Sequence, residues 1–458
     1  MSIRVWAIIA VVAFCVLAFC AEPSVAQNNS HAATIDAYLQ PYVRSSNFSG
    51  SVLVEKSGKI VFEKAYGFAD REQGTKNSTA TRFHIASMSM QFTAAAVLRL
   101  VDKGSLKLDD PVGNFASKIP GSEKITIRDL LTERSGLPDI NLLPGYDDVL
   151  EHHQTPASLV APIEGQPLLF EPGSKYLHEE HSAYNLLALI VEKKTGLPFA
   201  AAVERLVFRP IGLAATGVDD DTAGARHTAR GYEPEGTLGL KPAAAIHWSA
   251  KAGNASVYTT ARDEARWVRL LFGGHALSAA SREAMLDPSM KIGYGWFKRE
   301  NKRFGETAYS MNGRAPGFAS FVLYLPHTQT TVVVLSNIYS SSTTTIGNDV
   351  AAISLDLPFE TFRFRDPAPD QAELRSCAGR FQFGADFYEP NAEVTLIASG
   401  RELSLRWPSG EISPLIPIRP DHFMDRAYWE DVTIERDASG KPAVLIYDVF
   451  RGTAANPK

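Results

Sequence analysis

The chain has 458 residues, 45% of them hydrophobic and 21% charged, with a formal net charge of -5. That length holds one large domain and a smaller one, and the composition is that of a chain with a substantial core, which excludes a disordered protein. So small a negative charge argues against electrostatic capture of nucleic acid or of an anionic membrane surface, and neither is expected as a partner.

At the start of the chain, Arg4 precedes an apolar run from Val5 to Phe19, and small residues follow as far as Ser24-Val25-Ala26. These are the three regions of a secretory signal, predicting cleavage after Ala26 and a secreted or periplasmic mature chain. The run is shorter than the roughly 20 apolar residues of a spanning helix, so no membrane span is expected after cleavage. Cys15 and Cys20 leave with the signal, and Cys377 alone cannot form an internal disulfide.

Ser51 to Glu55 and Lys59 to Tyr66 alternate apolar and polar residues around Ser57-Gly58, which predicts a hairpin. Helical spacing follows over Phe92 to Val101, Thr126 to Thr132 and Tyr184 to Thr195, the last stopped by Gly196 and Pro198. From Tyr294 onward the pattern returns to strands, with Phe318 to Leu325 and Thr331 to Leu335 as two apolar runs. A sheet built from both ends of a domain, with helices between, is the expectation. After a helical stretch from Ile346 to Ile353, Pro367 and Pro369 mark a linker. Beyond it Glu393 to Ile397, Glu402 to Arg406 and Val444 to Tyr447 predict a small all-β domain. The expected division is a signal at 1–26, a large domain at 27–365 and the β domain at 366–458.

The segment Phe83-His84-Ile85-Ala86-Ser87-Met88-Ser89-Met90 leads into a helical stretch, with Asp102, Gly104 and Leu108-Asp109-Asp110-Pro111-Val112 beyond. It resembles the nucleophile segment of the penicillin-recognising serine hydrolases: class C β-lactamases, D-alanyl-D-alanine carboxypeptidases and related esterases. Those proteins place a serine at a helix start and a lysine three residues later. The resemblance puts Ser87 at the nucleophile position and Met90 at the lysine position. Residues three apart share a helix face, so a lysine there would reach the serine hydroxyl. A hydroxyl must hand its proton to a base as it attacks, and a thioether cannot take it. On its residues alone, Ser87 reads equally well as a helix N-cap.

Glu171-Pro172-Gly173-Ser174-Lys175-Tyr176 and Tyr184-Asn185-Leu186-Leu187 are similar to the family stretch that carries a tyrosine, any residue, then asparagine. Counting back from Tyr184 puts Glu179 at the tyrosine position and His181 at the asparagine position, whereas counting forward from Gly173 gives His178 and Glu180. Neither register restores the tyrosine. Tyr309 to Phe318 resembles the third family segment, His or Lys followed by any residue and Gly on an edge strand. Met311 stands at its first position, Asn312 follows, and Gly313 is kept, as close approach of backbone to a ligand requires. Leu130-Leu131-Thr132, Ser135-Gly136-Leu137-Pro138, Ser256 to Asp263 and Gly293-Tyr294-Gly295-Trp296 resemble the family framework. The resemblance extends from Ile35 to Leu355.

The resemblance implies a mixed α/β (α+β) fold, an antiparallel sheet flanked by helices with a helical insert. The C-terminal β domain resembles the small lipocalin-like barrels appended to some members and could itself be a binding module, with Asp421, Phe423 and Trp429 reading equally well as ordinary barrel residues. The implied ancestral reaction is acyl transfer from an amide or ester to Ser87, without a cofactor. Backbone amides of Ser87 and of a residue near Gly313 to Ala315 would stabilise the oxyanion. Exchange of three motif residues predicts an impaired protein that binds a small molecule, a peptide, a cell-wall fragment or a partner. The competing expectation is a rebuilt hydrolase, with His178 or His181 as base and Glu179 or Glu180 orienting it. The plainest alternative makes His178 to His181 a polar surface loop. A metal site there is disfavoured, since its histidines are three apart and not four as in the metalloprotease helix.

Overall fold

The computed structural model describes residues 23–177, 180–221 and 228–455, with side chains from residue 30. Its larger sheet comprises β1 (Gly50–Lys56), β2 (Lys59–Tyr66), β3 (Ile292–Gly293), β4 (Trp296–Asn301), β5 (Glu306–Ala315), β6 (Phe318–Leu325) and β7 (Thr330–Ser336). All neighbours are antiparallel, in the order β3-β4-β5-β6-β7-β1-β2. The two ends of the domain therefore meet, as expected, with Val52 opposite Val334 and Leu53 opposite Val333. Ser57 and Gly58 both take left-handed φ, 48° and 76°, the conformation a two-residue hairpin needs.

The helices that position the site are α1 (Pro23–Arg44), α2 (Met90–Asp102), α3 (Ile127–Leu131), α4 (His181–Thr195), α5 (Ala261–Phe272) and α6 (Ser342–Ser354). One face of the sheet, through Val52, Val54, Val332 and Val334, joins a core with Ile35 and Leu39 of α1 and Ile346 and Val350 of α6. The other, through Leu53, Val333 and Leu335, joins the larger helical core. Covered on both faces, β6 and β7 read as continuous apolar runs instead of alternating ones. The expected cut after Ala26 falls within α1, a helix the sequence pattern did not suggest. Among the described residues no helix is long and apolar enough to cross a membrane.

Residues 357–370 carry neither helix nor strand. Beyond them lies a closed barrel of β8 (Gly379–Gln382), β9 (Glu393–Ser399), β10 (Glu402–Arg406), β11 (Ile412–Arg419), β12 (His422–Asp425), β13 (Asp431–Arg436), β14 (Pro442–Tyr447) and β15 (Phe450–Ala454). Its core is its own, built on Phe381, Leu405, Leu415, Phe423 and Leu445. Arg426, fully buried, pegs the barrel to the larger domain. Its Nε donates to Asn47 Oδ1 at 2.9 Å, Nη1 to the Gly236 and Gly239 carbonyls at 2.5 and 3.0 Å, and Nη2 to the Ser46 carbonyl at 3.1 Å. Ile416 and Trp429 of the barrel join the core between sheet, α1 and α6.

Candidate active site

Ser87 lies in a single 3-10 turn, Ala86–Ser89, that runs into α2. The turn is tight enough to put Ala86 at φ 48°, a left-handed conformation costing of order 1–3 kcal/mol for a residue with a Cβ. Ser320 Oγ donates to the Ile85 carbonyl at 2.7 Å and Ser89 Oγ accepts from the Val257 amide at 3.0 Å, which hold the turn from two sides. A Cβ on Gly313 would stand 2.3 Å from the Ile85 carbonyl oxygen and 2.8 Å from Ser87 N, so only glycine lets β5 come this near.

The expected edge strand is an edge only in part. β5 sits inside the sheet, but β4 pairs with it along Glu306 to Ser310 alone, leaving Met311 to Ala315 unpaired on that side. Ser87, Met90, Met311, Asn312 and Gly313 all line one cavity of about 650 Å³, so these predicted site residues do come together. Met90 and Met311 are buried, and Ser87 Oγ has no hydrogen-bond partner among the described residues. Neither motif position supplies a proton acceptor.

A second cavity of about 230 Å³ also reaches Ser87, and its polar lining includes Asn141, His181, Lys251, Asn254 and Arg314. His181 opens α4, with Nδ1 2.9 Å from Asp139 Oδ2 and 2.9 Å from the Asn141 amide. The carboxylate only accepts and the Asn141 side-chain nitrogen only donates, so the two contacts make opposite demands on Nδ1 and do not by themselves set the His181 tautomer. Lys251 Nζ donates to Tyr146 Oη at 2.6 Å.

His178 and Glu179 lie outside the described residues. Glu180 does not orient a histidine: its fully buried carboxylate accepts from Ser135 N at 3.1 Å, Ser135 Oγ at 2.8 Å and Gly136 N at 3.0 Å. Burial pushes that carboxyl up to about 7. It holds the Ser135-Gly136 framework turn, and Asp139 takes the orienting part instead. The two described residues of the stretch are not on a surface loop, since Glu180 is wholly buried and the His181 side chain is 12% exposed at the start of α4. Glu180 and His181 also turn to different partners, and among the described residues no group of three metal-binding side chains forms.

The far wall of the larger cavity comes from the barrel: Tyr388, Trp407, Tyr428, Trp429, Glu430 and Tyr447. Of the three barrel residues singled out in the sequence, Trp429 lines this cavity and Asp421 and Phe423 do not. Arg314, next to Gly313, bridges the two parts, its Nη1 donating to the Ala427 carbonyl at 3.0 Å. Its guanidinium lies 4.3 Å from the Tyr339 ring centre and 3.8 Å from that of Tyr428. His84 is a satisfied core residue, bonded to Asp219 at 2.9 Å and stacked on Trp248.

Residues 35–355 match the family model described as Beta-lactamase, the span over which the framework motifs were read. PbpX of Bacillus subtilis (strain 168) is 29% identical over 304 residues, covering 66% of this chain and 74% of PbpX. Protein flp of Staphylococcus aureus (strain MRSA252) is 27% identical over 323 residues, covering 67% of this chain but only 63% of flp, less than two thirds of its length. Among solved structures, the octameric penicillin-binding protein homologue from Pyrococcus abyssi superposes with a TM-score of 0.63 at 21% identity, covering 92% of this chain and 99% of that one. That coverage extends the likeness of fold into the barrel. A model match over well more than half of the sequence, on a chain that shares its fold with a solved penicillin-binding-protein homologue, means that this chain belongs to the β-lactamase family.

Proposed function

We propose that this chain is a catalytically impaired member of its family that binds a small molecule or peptide, a cell-wall fragment among the candidates, in the cavity beside Ser87. The observation that carries the reading is the pair of buried methionines, Met90 at the lysine position and Met311 at the first position of the third motif, with the Ser87 hydroxyl left unbonded among the described residues. Loss of general-base catalysis alone removes roughly 10²–10⁴ of rate. The Ser87 turn and the open Met311–Ala315 edge survive the side-chain exchanges, so backbone amides can still hold a ligand carbonyl. In the same reading the chain is exported after loss of residues 1–26, with 27–365 carrying the serine and 366–458 roofing the cavity. The support for export is the Arg4, Val5–Phe19 and Ala26 pattern.

The test is incubation with a fluorophosphonate probe, a chromogenic β-lactam and an activated ester, beside Ser87→Ala. Labelling and turnover no greater than in Ser87→Ala are expected, and a Ser87-dependent signal overturns the reading. One observation favours a second reading, a rebuilt hydrolase: His181, with Asp139 2.9 Å from its Nδ1, lines a cavity that also reaches Ser87. Turnover lost in both Ser87→Ala and His181→Gln would establish that reading.

A further inference from the structure

The barrel wall of the larger cavity has a chemistry distinct from the serine end. The Trp407 ring lies 5.3 Å from Tyr428 and 5.2 Å from Tyr447, and Tyr388 stands 6.3 Å from Tyr447. The tyrosine hydroxyls are already committed: Tyr388 donates to Asp448 at 2.8 Å, Tyr428 to Glu411 at 3.1 Å and Tyr447 to Asp425 at 3.0 Å. Two other groups on this wall are not. Glu430 has neither a hydrogen bond nor a cation at its carboxylate among the described residues. Burial, with Asp448, Asp425 and Asp431 nearby, pushes Glu430 up to about 7, the behaviour of a carboxylate short of positive charge. Trp407 is 7% exposed, and its indole N–H has no acceptor.

Among the described residues Arg314 is the one cationic side chain lining this cavity, and it is held between Tyr339 and Tyr428. Exposed Glu389 adds a second carboxylate to the same wall. An anion placed there would meet Glu430 and Glu389. A cation would meet those carboxylates and the faces of the aromatic rings. A buried N–H without a partner calls for an acceptor beside that cation.

We propose that the barrel wall is a subsite for a free ammonium group next to a carbonyl, as in an amino-acid amide or a peptide N-terminus. The ammonium sits against Glu430 and the rings, and the neighbouring carbonyl oxygen accepts from Trp407 Nε1. The assignment rests on the cavity being a ligand site and names the class of ligand.

Binding is measured on the full chain carrying Ser87→Ala, so turnover plays no part. Phenylalanine amide, N-acetyl-phenylalanine amide and 3-phenylpropionamide are titrated by calorimetry, with tryptophan fluorescence as a second readout. The free amine is expected to bind at least tenfold tighter than either neutral compound. Adding Glu430→Gln removes that preference and leaves the neutral compounds unchanged. Adding Trp407→Phe, which keeps the ring but not the N–H, weakens all three severalfold. Equal affinity for amine and neutral compounds, absence of binding, or a preference that survives Glu430→Gln overturns the proposal. Should Glu430→Gln fail to fold by circular dichroism, the three-ligand comparison decides alone. A Ser87-dependent turnover in the unmodified chain would overturn the impaired-enzyme reading and leave this result standing.

Discussion

Replacing Arg426 by methionine tests how the barrel is held. The guanidinium is fully buried and makes its four shortest hydrogen bonds to Asn47 Oδ1 and the carbonyls of Ser46, Gly236 and Gly239 in the larger domain, with longer ones to the Glu235 and Ser45 carbonyls at 3.4 and 3.5 Å. Burial pushes it down to about 10, which corresponds to a desolvation cost on the order of 3 kcal/mol. Methionine fills much of the volume and removes that cost, but it leaves four acceptors without a donor. At about 1.5 kcal/mol each, the lost bonds come to about 6 kcal/mol, so Arg426→Met is expected to destabilise by about 3 kcal/mol. In a domain of this size that is a drop in Tm of roughly 6–10 °C. A base lowered by folding carries its penalty at every pH below about 10 and sheds it only as pH rises beyond. The difference between variant and parent should therefore be the same at pH 6 and pH 9. Scanning calorimetry at the two pH values, with limited proteolysis of residues 357–370 as the sign of undocking, checks this. A Tm within 1 °C of the parent would refute the peg.

Three other expectations use different measurements. Gly313→Ala would bring a Cβ to 2.3 Å from the Ile85 carbonyl, so it should cost about 1–3 kcal/mol by thermal denaturation and displace the Ser87 turn. Glu264 is fully buried, accepts from Gln91 Nε2 at 2.8 Å, and is pushed up to about 8 by burial. Folding raises this acid, so its favourable contribution is complete below pH about 4.5 and is lost as pH rises through 8, on the order of 5 kcal/mol in all. Tm should fall between pH 5 and pH 9, and Glu264→Gln should flatten the portion above pH 7. Asp139→Asn should change the ring nitrogen shifts of His181, while unchanged shifts would remove Asp139 from its orienting part.

Legibility differed between elements for physical reasons. Strands such as β6 and β7 were plain because two-sided burial makes them continuous apolar runs, and α3 and α4 because their caps, Thr126 and Gly196, are local signals. α1 was hidden: its core residues Ile35, Tyr38, Leu39 and Tyr42 follow helical spacing, but a polar stretch precedes them and Pro41 lies among them. At the site, Ser87, Met90, Met311 and Gly313 could be placed because each sits in a contiguous motif. Asp139 could not, because its pairing with His181 joins two segments 42 residues apart and depends on how Ser135-Gly136 turns. The aromatic wall was less legible still: Trp407, Glu430 and Tyr447 are barrel residues whose common cavity exists only once the barrel docks.

The cavity draws one wall from residue 87 and the opposite one from residues as late as 447. The barrel closes only when Gln382 pairs with Thr453, so the second wall is complete only with strands that lie beyond the serine-bearing sheet in the chain. The Ser87 turn is held by contacts of Ser320 with Ile85 and of Ser89 with Val257 within the larger domain, so it needs no part of the barrel, whereas the finished pocket does. Any ligand that needs both walls is held only where the barrel is closed and docked, so binding becomes a report that the two domains have come together.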